Sequence, residues 1–554
     1  AGTVGICFHH RTFQERSTVT GMEQVIVIYS RYAIAFLAVL YAVLSVVRFF
    51  LSPGKGRPVD TAQTVCIFIW QFVAFLTLCL ETGELDALFF YAFSQITLFA
   101  SMMLFLMMYP GMNRALLNHM CFLLGTGFLI LGRLNLQQAI RQLIIAAAGL
   151  LISMAVPYVV RNWEELLKNL TLLYAGGGFL ALSAVLILGQ VTHGSRISYT
   201  VAGITFQPSE FVKLLFVFFL AAFLWEDTSL KNLTIAAAAA GAHVLVLVLS
   251  RDLGSALIFF LVFVFLVFFA TGKYRYLALG TAGGCVAAWV AYRLFSHVQV
   301  RVQAWRDPWS VIDGQGYQIT QSLFALSRGG WFGLGIGQGT PQDIPYVETD
   351  FIFAAVTEEL GLLFSVSLLV VCVCCFLQMM RIALGSFPGN VHGMVQGNAL
   401  VQQDRFYRLL ASGFGVMYIF QVFLTVGGGI RFIPLTGVTL PLVSYGGSSV
   451  MTTLLMFAVV QGTGLKRRTL RPADDDADWE EEWEDDWRNG EDNNWEDGEN
   501  DGWQDEDDEW REEGEYEEEE YESEEPEGEW DEDDEASYRR QGHRGKRRSG
   551  RKGW

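Results

Sequence analysis

Apolar residues along this chain gather into runs of roughly 17 to 25, long enough to cross a bilayer core of about 30 Å as helices. About thirteen such runs recur, near residues 24–50, 61–82, 87–109, 116–134, 138–160, 170–190, 207–226, 232–250, 254–271, 275–295, 351–380, 407–427 and 445–464. Strict alternation of apolar and polar positions is absent from them. The pattern therefore predicts an all-α polytopic membrane bundle rather than a barrel.

Composition divides the chain in two. Hydrophobic residues make up 52% and mean hydropathy is +0.32, yet the net charge is −19. Residues 473–554 hold 38 of the 58 acids and 10 of the 39 bases, a net of −28, which leaves the preceding body at +9. A basic membrane body carries an acidic tail. Arg48, Lys55, Arg57, Arg114, Arg161, Lys168, Lys273, Arg381, Arg405 and Lys466 fall on one set of loops, which the positive-inside tendency places in the cytoplasm. With thirteen spans, the segment 1–23 and the long loop 296–350 then face outward and the tail faces inward. Arg133, Arg141 and Arg301 run against this assignment.

The tail, rich in Asp, Glu, Trp, Gly and Asn before a basic terminus, cannot bury enough apolar area to fold alone. Trp479, Trp483 and Trp487 recur every fourth residue, which would line one helical face if a partner ordered it, so a basic cytoplasmic partner is the sharper expectation beside a solvated tail. Met22, just ahead of the first run, is a candidate native start. Cysteines sit mostly inside apolar runs, and Cys372, Cys374 and Cys375 point to different faces, so neither a redox motif nor a metal set emerges.

Four polar clusters interrupt the second half. In QPSEFVK, Pro208 suits a helix opening, and Glu210 and Lys213, three apart, share a face where a local ion pair is the plainer reading. In SRDLGSA, Asp252 precedes a helix, where capping alone would account for it. From Tyr317 to Gly361 a glycine-dense segment, with Gln321, Ser322 and Gln338 as polar groups, delivers Asp350 to the mouth of a membrane helix; the glycines give backbone freedom and room for a ligand. An ionisable residue at a lipid boundary is costly and so a functional candidate. Its loose likeness to a nucleotide-binding glycine pattern lacks the required strand–turn–helix surroundings. In GGGIRFIPLTGVTLPLVSYGGSS, Pro434 and Pro441 break helical bonding, and Ser444, Tyr445, Ser448 and Ser449 are placed to satisfy the freed backbone. Four clusters on one side predict a shared polar cavity.

Together QPSEFVK, RDLGSA, GGWFGLGIGQG followed by ETDFIFAAVTEELG, and PLTGVTLPLVSYGGSS resemble the SEDS family (shape, elongation, division and sporulation; FtsW/RodA/SpoVE) over about residues 116–466. The resemblance implies a ten-helix core, with residues 24–115 as three added N-terminal helices and 467–554 as a cytoplasmic tail. It implies a peptidoglycan glycosyltransferase of the plasma membrane, polymerising lipid II beside a class B penicillin-binding protein, in division, elongation or sporulation; nucleic acid has no part. Asp350 is then the catalytic acid residue, a general base for an inverting transfer. Arg196, Glu210, Lys213, Asp252, Gln321, Gln338, Ser444, Tyr445 and Ser448 are expected to contact substrate, with Lys213 pairing with Asp350 or a phosphate. A divalent cation (Mg or Mn) is an open option. Arg251 stands where members often have Pro, TVGGGIRF replaces an Asn-rich lead, and PYVETD replaces the commoner PEAHTD. A lipid II transporter and a non-catalytic scaffold for a synthase remain alternatives.

Overall fold

A computed structural model describes residues 21–51, 55–192, 195–201, 204–385 and 398–469. The tail from residue 470, including the Trp479, Trp483 and Trp487 repeat, and the segment ahead of the candidate start Met22 lie outside the described residues.

Helices follow one another in order: α1 (Gly21–Phe50), α2 (Arg57–Thr82), α3 (Asp86–Met108), α4 (Arg114–Leu134), α5 (Leu136–Asn162), the short α6 (Glu164–Asn169) and α7 (Thr171–Leu188). After three short strands come α8 (Pro208–Leu224), α9 (Leu230–Leu249), α10 (Leu253–Thr271) and α11 (Tyr274–Leu294). The second half holds α12 (Ser296–Arg306), α13 (Tyr317–Gly329), α14 (Ile352–Leu384), α15 (Asn398–Gly429) and α16 (Gly447–Thr469). Every apolar run read from the sequence is a helix here. Twelve are long and apolar enough to cross a membrane among the described residues; α8, with 17 residues, falls just short. This is a multi-pass membrane protein.

The strands β1 (Gln190–Thr192), β2 (Ser195–Val201) and β3 (Ile204–Phe206) form a small antiparallel sheet in sequence order. The sequence reading anticipated no sheet. Strands this short, in a polar connection between two spans, carry no periodicity long enough to detect.

Packing is centred on α14, which lies against α15 on one side and α1 on the other, while α16 runs along α5. Arg48 of α1 pairs with Asp60 of α2 at 2.7 Å inside the N-terminal helices, and polar contacts join these helices to the rest. Arg381 of α14 donates to the Phe49 carbonyl at 2.9 Å, and Tyr41 Oη meets His119 Nδ1 of α4 at 3.0 Å. Inside the bundle no water competes for these groups, so each must find a protein partner. Cys372, Cys374 and Cys375 are buried and free, in keeping with an apolar role.

Where α14 breaks, a loop repairs it. Gly361 sits at φ 88 and ψ 172, which releases backbone groups on either side. The carbonyls of Glu358 and Glu359 accept from the amides of Leu334 (2.9 Å) and Gly335 (3.1 Å), and the amides of Leu362 and Leu363 donate to Gly330 (2.9 Å) and Trp331 (3.1 Å). Non-helical backbone at membrane depth is tolerated only when it is satisfied in this way. The side chains follow, with Glu359 on Arg133 at 3.0 Å and Glu358 on Arg328 at 3.2 Å.

This corrects the reading of Gly329 and Gly333 as room for a ligand. A Cβ on Gly329 would lie 2.0 Å from the Thr357 carbonyl oxygen, and one on Gly333 would lie 2.1 Å from that of Glu359. Those glycines let two backbones touch. Gln338 belongs to this second cluster too: exposed, it donates to Glu81 of α2.

Candidate active site

Asp350 ends the loop that precedes α14, its amide donating to the Tyr346 carbonyl at 3.2 Å. The residue keeps partial exposure, yet the packed surroundings dominate its carboxyl. Burial pushes its pKa up to about 6, against the opposing pull of the Arg301 charge and a hydrogen bond from Thr349, with Glu348 adding a smaller upward push. At neutral pH it is ionised, and more basic than a free carboxylate.

The segment between α15 and α16 organises everything around this acid. It has no regular secondary structure through residues 434–440 and turns at 441–445, in keeping with its two prolines. Ser444 Oγ donates to the Thr349 carbonyl at 2.6 Å, and the Tyr445 amide donates to the Glu348 carbonyl at 2.7 Å. The turn is thus tied directly to the two residues ahead of Asp350. From α5, Gln142 donates to the Ser444 carbonyl at 2.9 Å and accepts from the Gly446 amide at 3.2 Å. Gly127 on α4 admits the turn, since a Cβ there would lie 2.6 Å from the Val443 oxygen. Ser444 and Tyr445 therefore hold the loop that carries the acid.

Gly437, at φ 76, presents bare backbone to the acid: a Cβ there would stand 3.9 Å from Asp350 Oδ2. On the far side of the same stretch, a Cβ on Gly254 would lie 2.8 Å from the Thr436 oxygen, so the turn bearing Asp252 presses against it. Asp252 caps α10, accepting from the Ser255 amide at 3.1 Å. Its other oxygen faces Ser209 Oγ at 3.3 Å and Gln207 Nε2 at 3.4 Å, and burial raises its pKa. The Gln207 amide in turn donates to Ser448 Oγ at 3.0 Å. Three sequence clusters thereby meet on one segment, and Asp350 reaches it from the fourth.

Lys213 forms the local ion pair that its spacing allows and does not pair with Asp350. Its ammonium pairs with Glu210 at 2.8 Å and donates to Gln421 Oε1 at 3.2 Å, while Gln421 Nε2 donates to the Thr439 carbonyl at 3.1 Å. Helical spacing of three makes Glu210 the nearer partner, and a buried ammonium takes the anion it can reach. The cation bearing on Asp350 is Arg301 of α12. Because Lys213 is 3% exposed, removing its charge leaves a buried carboxylate without compensation. Lys213→Met should cost about 3–5 kcal/mol, read as a lowered Tm in detergent, and pairing it with Glu210→Gln should recover most of the loss.

Among the remaining sequence candidates, Arg196 lies in β2 opposite Val191, and its side chain is outside the described residues. Gln321 is half-buried on α13 and, among the described residues, makes no hydrogen bond to Asp350 or its neighbours. No group of three or more His, Cys, Asp or Glu converges as a metal set among the described residues, so no step is assigned to a cation. Sequence reasoning missed Gln142, Gln421 and Arg301. The two glutamines were visible as amides inside apolar helices, a costly placement that demands a partner.

Known proteins resemble this chain in sequence and fold. A family model described as cell cycle protein, FtsW/RodA/SpoVE, matches residues 129–468, more than half of the chain and all four polar clusters. The chain belongs to the FtsW/RodA/SpoVE family. It is 34% identical over 309 residues to the peptidoglycan glycosyltransferase RodA of Mycobacterium tuberculosis H37Rv, covering 52% of this chain and 61% of that one. To RodA of Mycobacterium leprae it is 32% identical over 382 residues, covering 63% and 77%. A solved chain from work on structural coordination of polymerization and crosslinking by a peptidoglycan synthase complex superposes with a TM-score of 0.55 at 26% identity, covering 65% of this chain and 99% of that one. This FtsW/RodA/SpoVE member thus spans about three-fifths of the length of its M. tuberculosis relative.

Proposed function

We propose that the protein is a peptidoglycan glycosyltransferase that polymerises lipid II at the outer face of the membrane, with Asp350 as general base. The observation that carries this reading is the placement of one raised, partly exposed carboxylate beside bare glycine backbone, in a family whose relatives bear that activity by name. Residues 129–468 contain the matched core, and α1–α3 are an addition ahead of it.

In this reading Asp350 accepts the proton of the acceptor sugar's C4 hydroxyl as that oxygen attacks the anomeric carbon of the donor. The bond to the lipid diphosphate breaks, the electron pair leaves with the diphosphate, and the configuration inverts from α to β. One carboxylate suffices because the leaving group is already a stabilised anion, unlike the sugar alkoxide for which glycosidases supply a second acid. Ser444 and Tyr445 hold the base in place. Glu210, Lys213 and Asp252 maintain the floor on which it rests, and Arg196 remains a candidate for the diphosphate. A class B penicillin-binding protein is the fitting partner, since the matching solved chain comes from a complex joining polymerization to crosslinking.

The test is incubation of the purified protein and its penicillin-binding partner with lipid II. Glycan strands resolved on a gel are expected. Movement of lipid II across vesicles without any strands would replace this reading with a transporter.

A further inference from the structure

The positive charge facing Asp350 arrives on a short helix that the sequence reading treated only as an exception to the charge pattern. Arg301 Nη1 donates to the carbonyls of Leu435 and Thr436, each at 3.2 Å. These residues immediately precede Gly437, whose missing Cβ would stand 3.9 Å from Asp350 Oδ2. One guanidinium therefore touches the stretch that shapes the acid's surroundings and is the charge that most favours the acid's ionised form.

Arg301 is itself held one turn further along α12. Trp305 Nε1 donates to the Arg431 carbonyl at 3.2 Å, and Arg431 answers with Nε to the Trp305 carbonyl at 2.9 Å and Nη2 to the Arg306 carbonyl at 2.8 Å. Arg431 adopts φ 61, a left-handed conformation that suits glycine. A non-glycine residue stays there only where its surroundings over-determine it, and the three reciprocal bonds do so. The departure TVGGGIRF thus has a physical counterpart in a clasp between α12 and the end of α15.

We propose that Arg301 is a positioning residue for the Asp350 chemistry, held by the Arg431–Trp305 clasp so that it pins the Leu435–Gly437 backbone beside the carboxylate and supplies the opposing charge. The proposal rests on reading Asp350 as the base. The other charged groups divide as follows. Glu348, on the acid's own loop, opposes Arg301. His297 of α12 faces Arg251 and Arg301, and burial together with these two charges lowers its pKa, so it is neutral at neutral pH. Glu210 and Lys213 of α8 act on Asp252 instead.

Two readouts on the full chain test this. The protonation midpoint of Asp350 is followed by pH-difference infrared spectroscopy, its carboxyl band identified by loss in Asp350→Asn, and the acid limb of polymerisation is measured with the penicillin-binding partner. In Arg301→Gln both should move upward by about one pH unit or more, whereas Arg301→Lys should keep them near the native position. A fall in activity with an unmoved midpoint would make Arg301 merely structural and overturn the proposal. Should Arg301→Gln not fold, Arg431→Gly, which suits φ 61 and removes two guanidinium bonds, must move the midpoint in the same direction; an unchanged midpoint would overturn it equally. If the native protein makes no strands while the infrared midpoint still shifts, the glycosyltransferase reading fails and the Arg301–Asp350 coupling stands.

Discussion

Asp350→Asn should lower the rate of glycan polymerisation by about 10²- to 10⁴-fold while leaving the folded protein intact, because the amide fills the same space and cannot accept the proton. The native protein should show the same dependence as a pH profile. In the proposed mechanism the active form is the ionised carboxylate, and with its pKa at about 6 the rate should hold above that value. Below it the ionised fraction, and with it the rate, drops roughly tenfold per pH unit. Stability runs the other way. Burial favours the protonated form, so between the ordinary carboxylate range and about 6 the folded state binds more protons than the unfolded one, and stability falls slightly as pH rises through that window. Activity and stability therefore diverge with pH, which separates loss of the base from acid unfolding.

Gly333→Ala is the second large effect, and it acts on the fold. The residue sits at φ 79, and its new Cβ would come within 2.1 Å of the Glu359 oxygen and 2.6 Å of the Glu359 carbonyl carbon. Both neighbours are backbone at the helix break, which side-chain motion cannot relieve. Strain in φ and overpacking together should cost about 2–6 kcal/mol, seen as a large drop in Tm and in yield from the membrane. Gly330, at φ 53 with open space around its missing Cβ, is the contrasting position, where Gly330→Ala should cost only the conformational part, about 1–3 kcal/mol.

Particular residues explain which parts of this structure were legible in the sequence. Apolar runs located all thirteen long helices, since a membrane helix must bury its backbone polarity within one segment. Pro208 opens α8, Asp252 caps α10, and the prolines at 434 and 441 mark a break, each by a local rule. Asp350 stood out because a carboxylate in that position has an evident cost. What sequence reading could not supply was partnership at a distance. Gln142 meets Ser444 across 302 positions, and Arg301 reaches Thr436 across 135. For Lys213 the local ion pair with Glu210, one turn away on its own helix, is the reading that the structure realises, rather than pairing with Asp350. The glycines were read as space because a sequence shows a missing side chain without showing what fills its place.

Asp350 is proposed to act as the proton acceptor in sugar transfer. The most direct measurement of this role is the polymerisation of purified lipid II by the native protein and by Asp350→Asn, each with the same penicillin-binding partner, with equal Tm confirmed beforehand. Glycan strands from the native protein and a rate at least about a hundredfold lower from the variant are predicted. Strand formation by the variant at the native rate would contradict the account.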